Sequence, residues 1–321
     1  MWLGASEVVA DIFQEHRRMI SKASRSVYIE NQYFGSRLSS AEEAQSPRCQ
    51  ALHSHTQNDL AHLLFEKITT KATLGEKFSA VVVFPLATEE SETHYPNLRT
   101  AQCLQEALEG FWKANKISSP LSEYFGMYNL ANVVPVNTTS SAFYGIFVHS
   151  KLMAIDHDSD SGAEAIVGSA NLNDRSLLGD RDAEVSLGVK GTFVQALMST
   201  LFQSHAASAL PRAVDLQRRL SEAAESNAGR LKDVGINWDE GTLGSKKLLD
   251  QNEQDDGFLP ELDMSEAFQV GSGVHWKMLP GKALQKGLQG YLLPWRPALW
   301  GDADVYRSWK HYHPSGAWLQ T

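Results

Sequence analysis

Val148-His149-Ser150-Lys151-Leu152-Met153-Ala154-Ile155-Asp156, followed by Gly168-Ser169-Ala170-Asn171, is the stretch from which the rest of the chain can be read. Residues two apart in an extended chain point the same way, so His149 and Lys151 share one face while Val148, Ser150 and Leu152 take the other. One face sets an imidazole beside an ammonium, and the opposite face is fit for a core. The pattern predicts a strand over 144–154 and another at Ala165-Ile166-Val167-Gly168 that stops at glycine. The spacing His-x-Lys-x4-Asp occurs once, since His275-Trp276-Lys277 has Lys282 where its aspartate should stand.

Working outward, Ser6 suits the N-cap of a helix running to Ser21, with Val8, Val9, Ile12, Phe13 and Met19 along one side. A strand begins at Ser26-Val27-Tyr28-Ile29, residues 36–55 read as a long loop, and a helix resumes near Asn58. Phe78-Ser79-Ala80-Val81-Val82-Val83-Phe84-Pro85 is a β-branched run of the kind found in buried central strands. A helix over 98–115, a weaker strand at Tyr124 to Leu130, a strand at Ala183 to Val189 and an amphipathic helix from Phe193 to His205 complete the pattern. Strands alternating with helices predict an α/β layer structure with helices covering a largely buried sheet. Past Pro211 the character changes to an Arg- and Glu-rich helix ending near Lys232 and an acidic, solvated stretch from Asp250 to Asp263. A tail then holds Trp276, Trp295, Trp300, Trp309 and Trp318. The expected division is therefore residues 1–208 as one unit and 209–321 as a helical, acidic and Trp-rich extension packing on it.

The chain has 321 residues, 42% hydrophobic and 21% charged, which is ordinary for a globular protein with a sizeable core. A net charge of −9 argues against nucleic-acid binding through a broad basic surface and against polybasic docking on anionic lipid. Cys49 and Cys103 are too few for a disulfide framework and not spaced as metal ligands, so they read as passive residues in a reducing compartment. No run approaches the roughly 18 apolar residues of a membrane span, and the N-terminus enters a polar helical pattern, so the expected location is cytoplasmic or peripheral to a membrane.

A neutral histidine can attack phosphorus, and a lysine on the same strand face can hold a non-bridging phosphate oxygen. Ser169 and Asn171, beside Gly168, allow close approach to an anion, and Gln32 could reach the pocket from the end of its own strand. The histidine needs a partner for its other ring nitrogen, and the candidates are Asp156 and Glu184. Glu184 is favoured, because an extended strand at about 3.3 Å per residue carries Asp156 too far from His149. Asp156 is then expected to fix the following turn, paired with an arginine such as Arg175 or Arg181. This chemistry requires no metal and no cofactor, and His53, His55 and His62 lack fitting ligand geometry.

These residues resemble the signature of the phospholipase D superfamily. Phe147-Val148-His149-Ser150-Lys151-Leu152-Met153, Gly168-Ser169-Ala170-Asn171-Leu172-Asn173-Asp174-Arg175-Ser176 and Tyr28-Ile29-Glu30-Asn31-Gln32-Tyr33-Phe34 are similar to its eukaryotic-type, phosphatidylcholine-cleaving branch. Arg181-Asp182-Ala183-Glu184 resembles the family segment whose acidic residue orients the histidine. The resemblance covers about residues 5–208, with a fainter echo at Gly287-Leu288-Gln289-Gly290-Tyr291-Leu292-Leu293-Pro294.

The resemblance implies a mixed β-sheet flanked by helices on both faces. It also implies a two-step cleavage of phosphatidylcholine-like lipid to phosphatidic acid and headgroup through a phosphohistidine, resolved by water or another alcohol. His149, Lys151, Asp156 and Glu184 would be catalytic, and Ser169, Asn171 and Gln32 would hold the phosphate. By position His149 matches the second of the family's two histidines, the general acid for headgroup departure and base for the resolving water. Two motifs are required and this sequence holds one. The other would come from a second copy across a two-fold axis, from a separate first-half chain, or from an N-terminal half missing from this sequence as a C-terminal piece; otherwise the chain is an inactive lipid- or protein-binding module. The expected partners are a phospholipid at a membrane surface and that second half. Nucleic acid is not expected, although a homodimeric nuclease is the rival enzyme.

Overall fold

The computed structural model describes residues 10–43, 56–85, 91–135, 137–179, 181–233, 238, 276–279 and 287–296. Helix α1 (Asp11–Lys22) leads into β1 (Ser26–Asn31), a helical turn α2 (Ser40–Glu43), α3 (Leu60–Thr73), β2 (Ser79–Val83) and α4 (Ser91–Asn115). Strands β3 (Phe125–Pro135), β4 (Ser141–Gly145), β5 (Lys151–Ile155) and β6 (Glu164–Gly168) follow, then the turn α5 (Asp174–Leu177), β7 (Ser186–Lys190), α6 (Thr192–Ala206) and α7 (Leu216–Asp233). Strands β8 (Trp276–Leu279) and β9 (Leu292–Pro294) come last. Ser6, His53, His55, Lys282, the stretch Asp250 to Asp263, and Trp300, Trp309 and Trp318 lie outside the described residues.

The sheet runs β7-β6-β5-β1-β2-β3-β4-β8, with β9 on β3. β1, β2 and β3 are parallel, while β5, β6 and β7 continue the sheet antiparallel to one another, β5 being antiparallel to β1. Every residue of β1 and β2 is buried, as the unbroken apolar run of β2 predicts for a strand covered on both faces. On one face, Val27, Ile29, Val82, Met153 and Ile155 pack with Met19 and Ile20 of α1, Leu64 and Ile68 of α3, and Leu104 of α4. On the other, Tyr28, Val81, Val83, Leu152 and Ala154 pack with Met198 and Phe202 of α6 and Leu216 and Leu220 of α7. The architecture is the expected α/β one, a mixed sheet between two helical layers.

The single strand expected over 144–154 is two strands. β4 lies beside β3 and β5 lies beside β1, so the chain must cross the sheet between them. The amide of Ile146 donates to the Leu130 carbonyl at 2.8 Å, and the amide of Gln32 to the Ser150 carbonyl at 3.1 Å. Residues 146–150 therefore pass the C-terminal ends of β2 and β1.

Elements beyond residue 208 are built into the same layers. Leu292 and Leu293 of β9 are fully buried, Asn227 of α7 donates to the carbonyls of Gln289 and Leu292, and the buried Trp238 donates to the Pro294 carbonyl at 2.7 Å. Trp295 is buried as well. Cys103, buried on α4, is disulfide-bonded, which departs from the passive role expected of it. No helix among the described residues is long and apolar enough to cross a membrane.

Candidate functional site

The site forms at one end of the sheet because of register. Antiparallel pairing sets Lys151, first residue of β5, opposite Asn31, last residue of β1, and β6 returns to the same end with Gly168 opposite Ser186. Gly168 has no substitute there: a Cβ would lie 2.2 Å from the Ser186 Oγ and 2.3 Å from the Val185 carbonyl oxygen. The C-terminal end of β1, the crossing segment with His149, the loop after β6 and the approach to β7 thus share one rim. Open α/β sheets characteristically bind ligands beyond the carboxyl ends of parallel strands.

Lys151 is half-buried, and its Nζ donates to Gln32 Oε1 at 2.8 Å and to the His149 carbonyl at 2.9 Å. Burial holds the ammonium below the usual lysine range, and the charge of Glu184 pulls the other way. The His149 side chain is exposed and stacks on Phe147, centroids 5.8 Å apart. Partial desolvation and then the Lys151 charge hold its pKa below the ordinary 6.5, so the imidazole is neutral at pH 7. Its ring makes no hydrogen bond among the described residues.

Glu184, favoured from sequence as the acid that orients His149, meets Ser169 instead. The Ser169 hydroxyl donates to the Glu184 carboxylate, and the Ser169 Oγ accepts the Val185 amide at 3.0 Å. Ser169 is thereby tied to the start of β7. Asn171 is half-buried on the same loop, and its buried Oδ1 has no hydrogen-bond partner among the described residues. Gln32, Lys151, Ser169, Asn171 and Glu184 are gathered on the rim with His149 at its edge.

Asp156 is a correction. It follows β5 at the opposite end of the sheet, 3% exposed, and its carboxylate accepts the amides of Ser24, Arg25 and Ser26 at 2.7 to 2.9 Å together with the Ser24 hydroxyl. It pins the turn between α1 and β1, and its own left-handed φ of 48° is one that aspartate tolerates. The arginine pairing expected for it is replaced by backbone donors, since Arg175 binds Asp182 at 2.8 Å.

The segment Glu30-Asn31-Gln32 does more than the sequence reading asked of it. Asn31 Oδ1 accepts the amides of Tyr33 and Leu172, and its Nδ2 donates to the Ala170 carbonyl, so it holds the loop carrying Asn171. Asn97 of α4 accepts the Phe34 amide and donates to the Gln32 carbonyl. Asp174 takes the amides of Gln57 and Asn58, which anchors the end of that loop. Asn31 beside Gln32, and Asp174 within the Gly168–Ser176 stretch, are visible signals; Asn97 carries none.

Residues 132–208 match the family model for Phospholipase D. Over those residues the chain is similar to a phospholipase D superfamily domain. That stretch spans β4 through α6 and so contains His149, Lys151, Ser169, Asn171 and Glu184. The chain is 28% identical over 208 residues to Phospholipase D zeta 1 of Arabidopsis thaliana, covering 59% of this chain and 17% of that protein. It is 28% identical over 248 residues to Phospholipase D alpha 4 of the same organism, covering 67% and 31%, and 29% identical over 196 residues to Phospholipase D alpha 1 of Ricinus communis, covering 53% and 23%. The chain thus spans less than a third of the length of these relatives. Among solved structures it is similar to NucT from Helicobacter pylori, with TM-score 0.34 and 16% identity, covering 62% of this chain and 90% of that one.

Proposed function

We propose that this phospholipase D-like domain supplies one half of a site that hydrolyses phosphatidylcholine-like lipids to phosphatidic acid and free headgroup. The other half comes from a second copy of the chain or from a separate chain bearing the other motif. The observation that carries the reading is the convergence of a neutral, unengaged imidazole and a half-buried ammonium at the C-terminal ends of parallel strands. The similarity to plant phospholipases D favours phospholipid as the substrate.

In the reaction, one neutral imidazole attacks phosphorus while the other, protonated, gives its proton to the departing headgroup oxygen. Water then attacks the phosphohistidine and returns a proton to the second imidazole. Lys151 stabilises charge on a non-bridging oxygen, and Gln32 aims the ammonium. Because the pKa of His149 is depressed, its neutral form persists to below pH 6.5 and its role as nucleophile or base fails only under more acid conditions.

Choline release from labelled phosphatidylcholine vesicles tests this directly, with the chain alone and mixed with a first-half chain. Release that is lost by at least about a thousandfold in His149→Ala is the expected outcome. Release from neither preparation sinks the reading. Cleavage of single-stranded DNA abolished by His149→Ala, without headgroup release, would make the domain a nuclease.

A further inference from the structure

Directly behind the rim, on the buried face of β1, lies a polar cluster that the reaction above does not use. Glu30 is 4% exposed and His205, in the last turn of α6, is 5% exposed. His205 Nε2 lies 2.7 Å from Glu30 Oε2, the Tyr28 hydroxyl donates to the same oxygen at 2.6 Å, and the Ser150 hydroxyl donates to Glu30 Oε1 at 2.5 Å. Ser150 is the residue between His149 and Lys151.

A buried carboxylate is costly unless donors surround it. Burial pushes the Glu30 carboxyl up, but the bonds from His205, Ser150 and Tyr28 prevail and keep it below its ordinary value. Burial and the Glu30 charge drive the Tyr28 hydroxyl well above its usual range, so it stays a donor. With the carboxylate as acceptor, His205 Nε2 donates, and its Nδ1 is buried without a hydrogen-bond partner among the described residues. A structural carboxylate needs no such arrangement with a residue of the rim; here one of its two oxygens is given to Ser150.

Ser150 is thereby held twice, its side chain by Glu30 and its carbonyl by the Gln32 amide at 3.1 Å. Gln32 in turn accepts the Lys151 ammonium. Pulling the Ser150 side chain toward the α6 face turns its two neighbours to the opposite side, which is the rim. His205 itself is buttressed by the C-terminal segment: its carbonyl accepts the Tyr291 amide at 3.1 Å, and a Cβ on Gly290 would lie 2.2 Å from that carbonyl oxygen.

We propose that the buried Glu30–His205 pair positions the catalytic stretch through the Ser150 hydroxyl, making Glu30, Ser150 and His205 positioning residues for His149 and Lys151. This rests on the reading of the rim as a phosphodiester site. The segment 287–291, seated on His205, becomes part of what holds that site in register.

The test compares wild type with Ser150→Ala, His205→Phe and His205→Gln, the last retaining an amide donor for Glu30. Two quantities are followed: amide hydrogen exchange of Gln32 against the amides of α3, and the ring nitrogen shift of His149 on titration with inorganic phosphate. Ser150→Ala and His205→Phe should speed Gln32 exchange about tenfold with α3 unchanged, the effect expected for losing one hydrogen bond to a charged group. The same variants should weaken the phosphate response of His149 by a similar factor, and His205→Gln should restore both. Gln32 exchange unchanged in Ser150→Ala, His205→Gln behaving like His205→Phe, or an equal loss of protection in α3 would overturn the proposal. If His205→Phe does not fold, Ser150→Ala decides alone. A wild-type His149 indifferent to phosphate would count against the phosphodiester reading, while the exchange comparison would still judge the positioning role.

Discussion

Asp156 and Glu30 are both buried carboxylates beside the same strand, and their partners separate their roles. Asp156 spends its oxygens on three backbone amides and a hydroxyl at the far end of β5, whereas Glu30 gives one oxygen to Ser150 within the His149–Lys151 stretch. Asp156→Asn keeps the shape but turns an amide donor against backbone donors. It should cost about 2–3 kcal/mol, read as a lowered urea midpoint with an unchanged slope. The spacing in sequence made Asp156 conspicuous and the geometric argument at 3.3 Å per residue correctly removed it from His149; what it binds instead is visible only in three dimensions. Backbone amides leave no trace in a sequence pattern, which is why an arginine was expected.

At the scale of elements, α1 is fastened to the edge of the sheet by one carboxylate. Glu164, opening β6 and 3% exposed, takes hydrogen bonds from Arg18 and Lys22 of α1, with Lys190 of β7 at 3.5 Å. Burial raises its pKa, but Lys22 and Arg18 outweigh burial and hold it near 2. The folded pKa is depressed, so the stability this group contributes is present above the unfolded value of about 4.5 and is lost as pH falls toward 2. Because the three bases are largely exposed, Glu164→Gln should cost only about 1–2 kcal/mol at pH 7. Denaturation curves of the two proteins should converge by about pH 2; a difference that survives there would refute the assignment. Elements were otherwise legible where a period was long: α3, β2, α6 and α7 stand close to their expected positions. The strand predicted over 144–154 was misread because alternation continues through residues 146–150 even though the ladder does not. Period alone cannot reveal that one run must cross to the other side of a sheet.

For the whole molecule, one motif in one chain makes assembly the decisive property. If two copies share a site, each pairing of wild type with His149→Ala is inactive. Equal amounts of the two, dissociated and re-associated, should then keep about a quarter of the activity of the same total amount of wild type, against about a half for independent sites. A half-activity result, together with a monomeric mass in solution, would place the other motif on a first-half segment rather than on a second copy. The sequence by itself determined the α/β class, because hydrophobic periodicity reports burial, and it identified Lys151, Ser169, Asn171, Glu184, Gln32 and His149 as candidates, because their chemistry and spacing are local. Only the tertiary structure decided that they converge, that Glu184 meets Ser169 rather than His149, and that His205 stands behind the rim. Those facts depend on strand register and on contacts between residues as far apart as Glu30 and His205, and no local pattern encodes a distance across the fold.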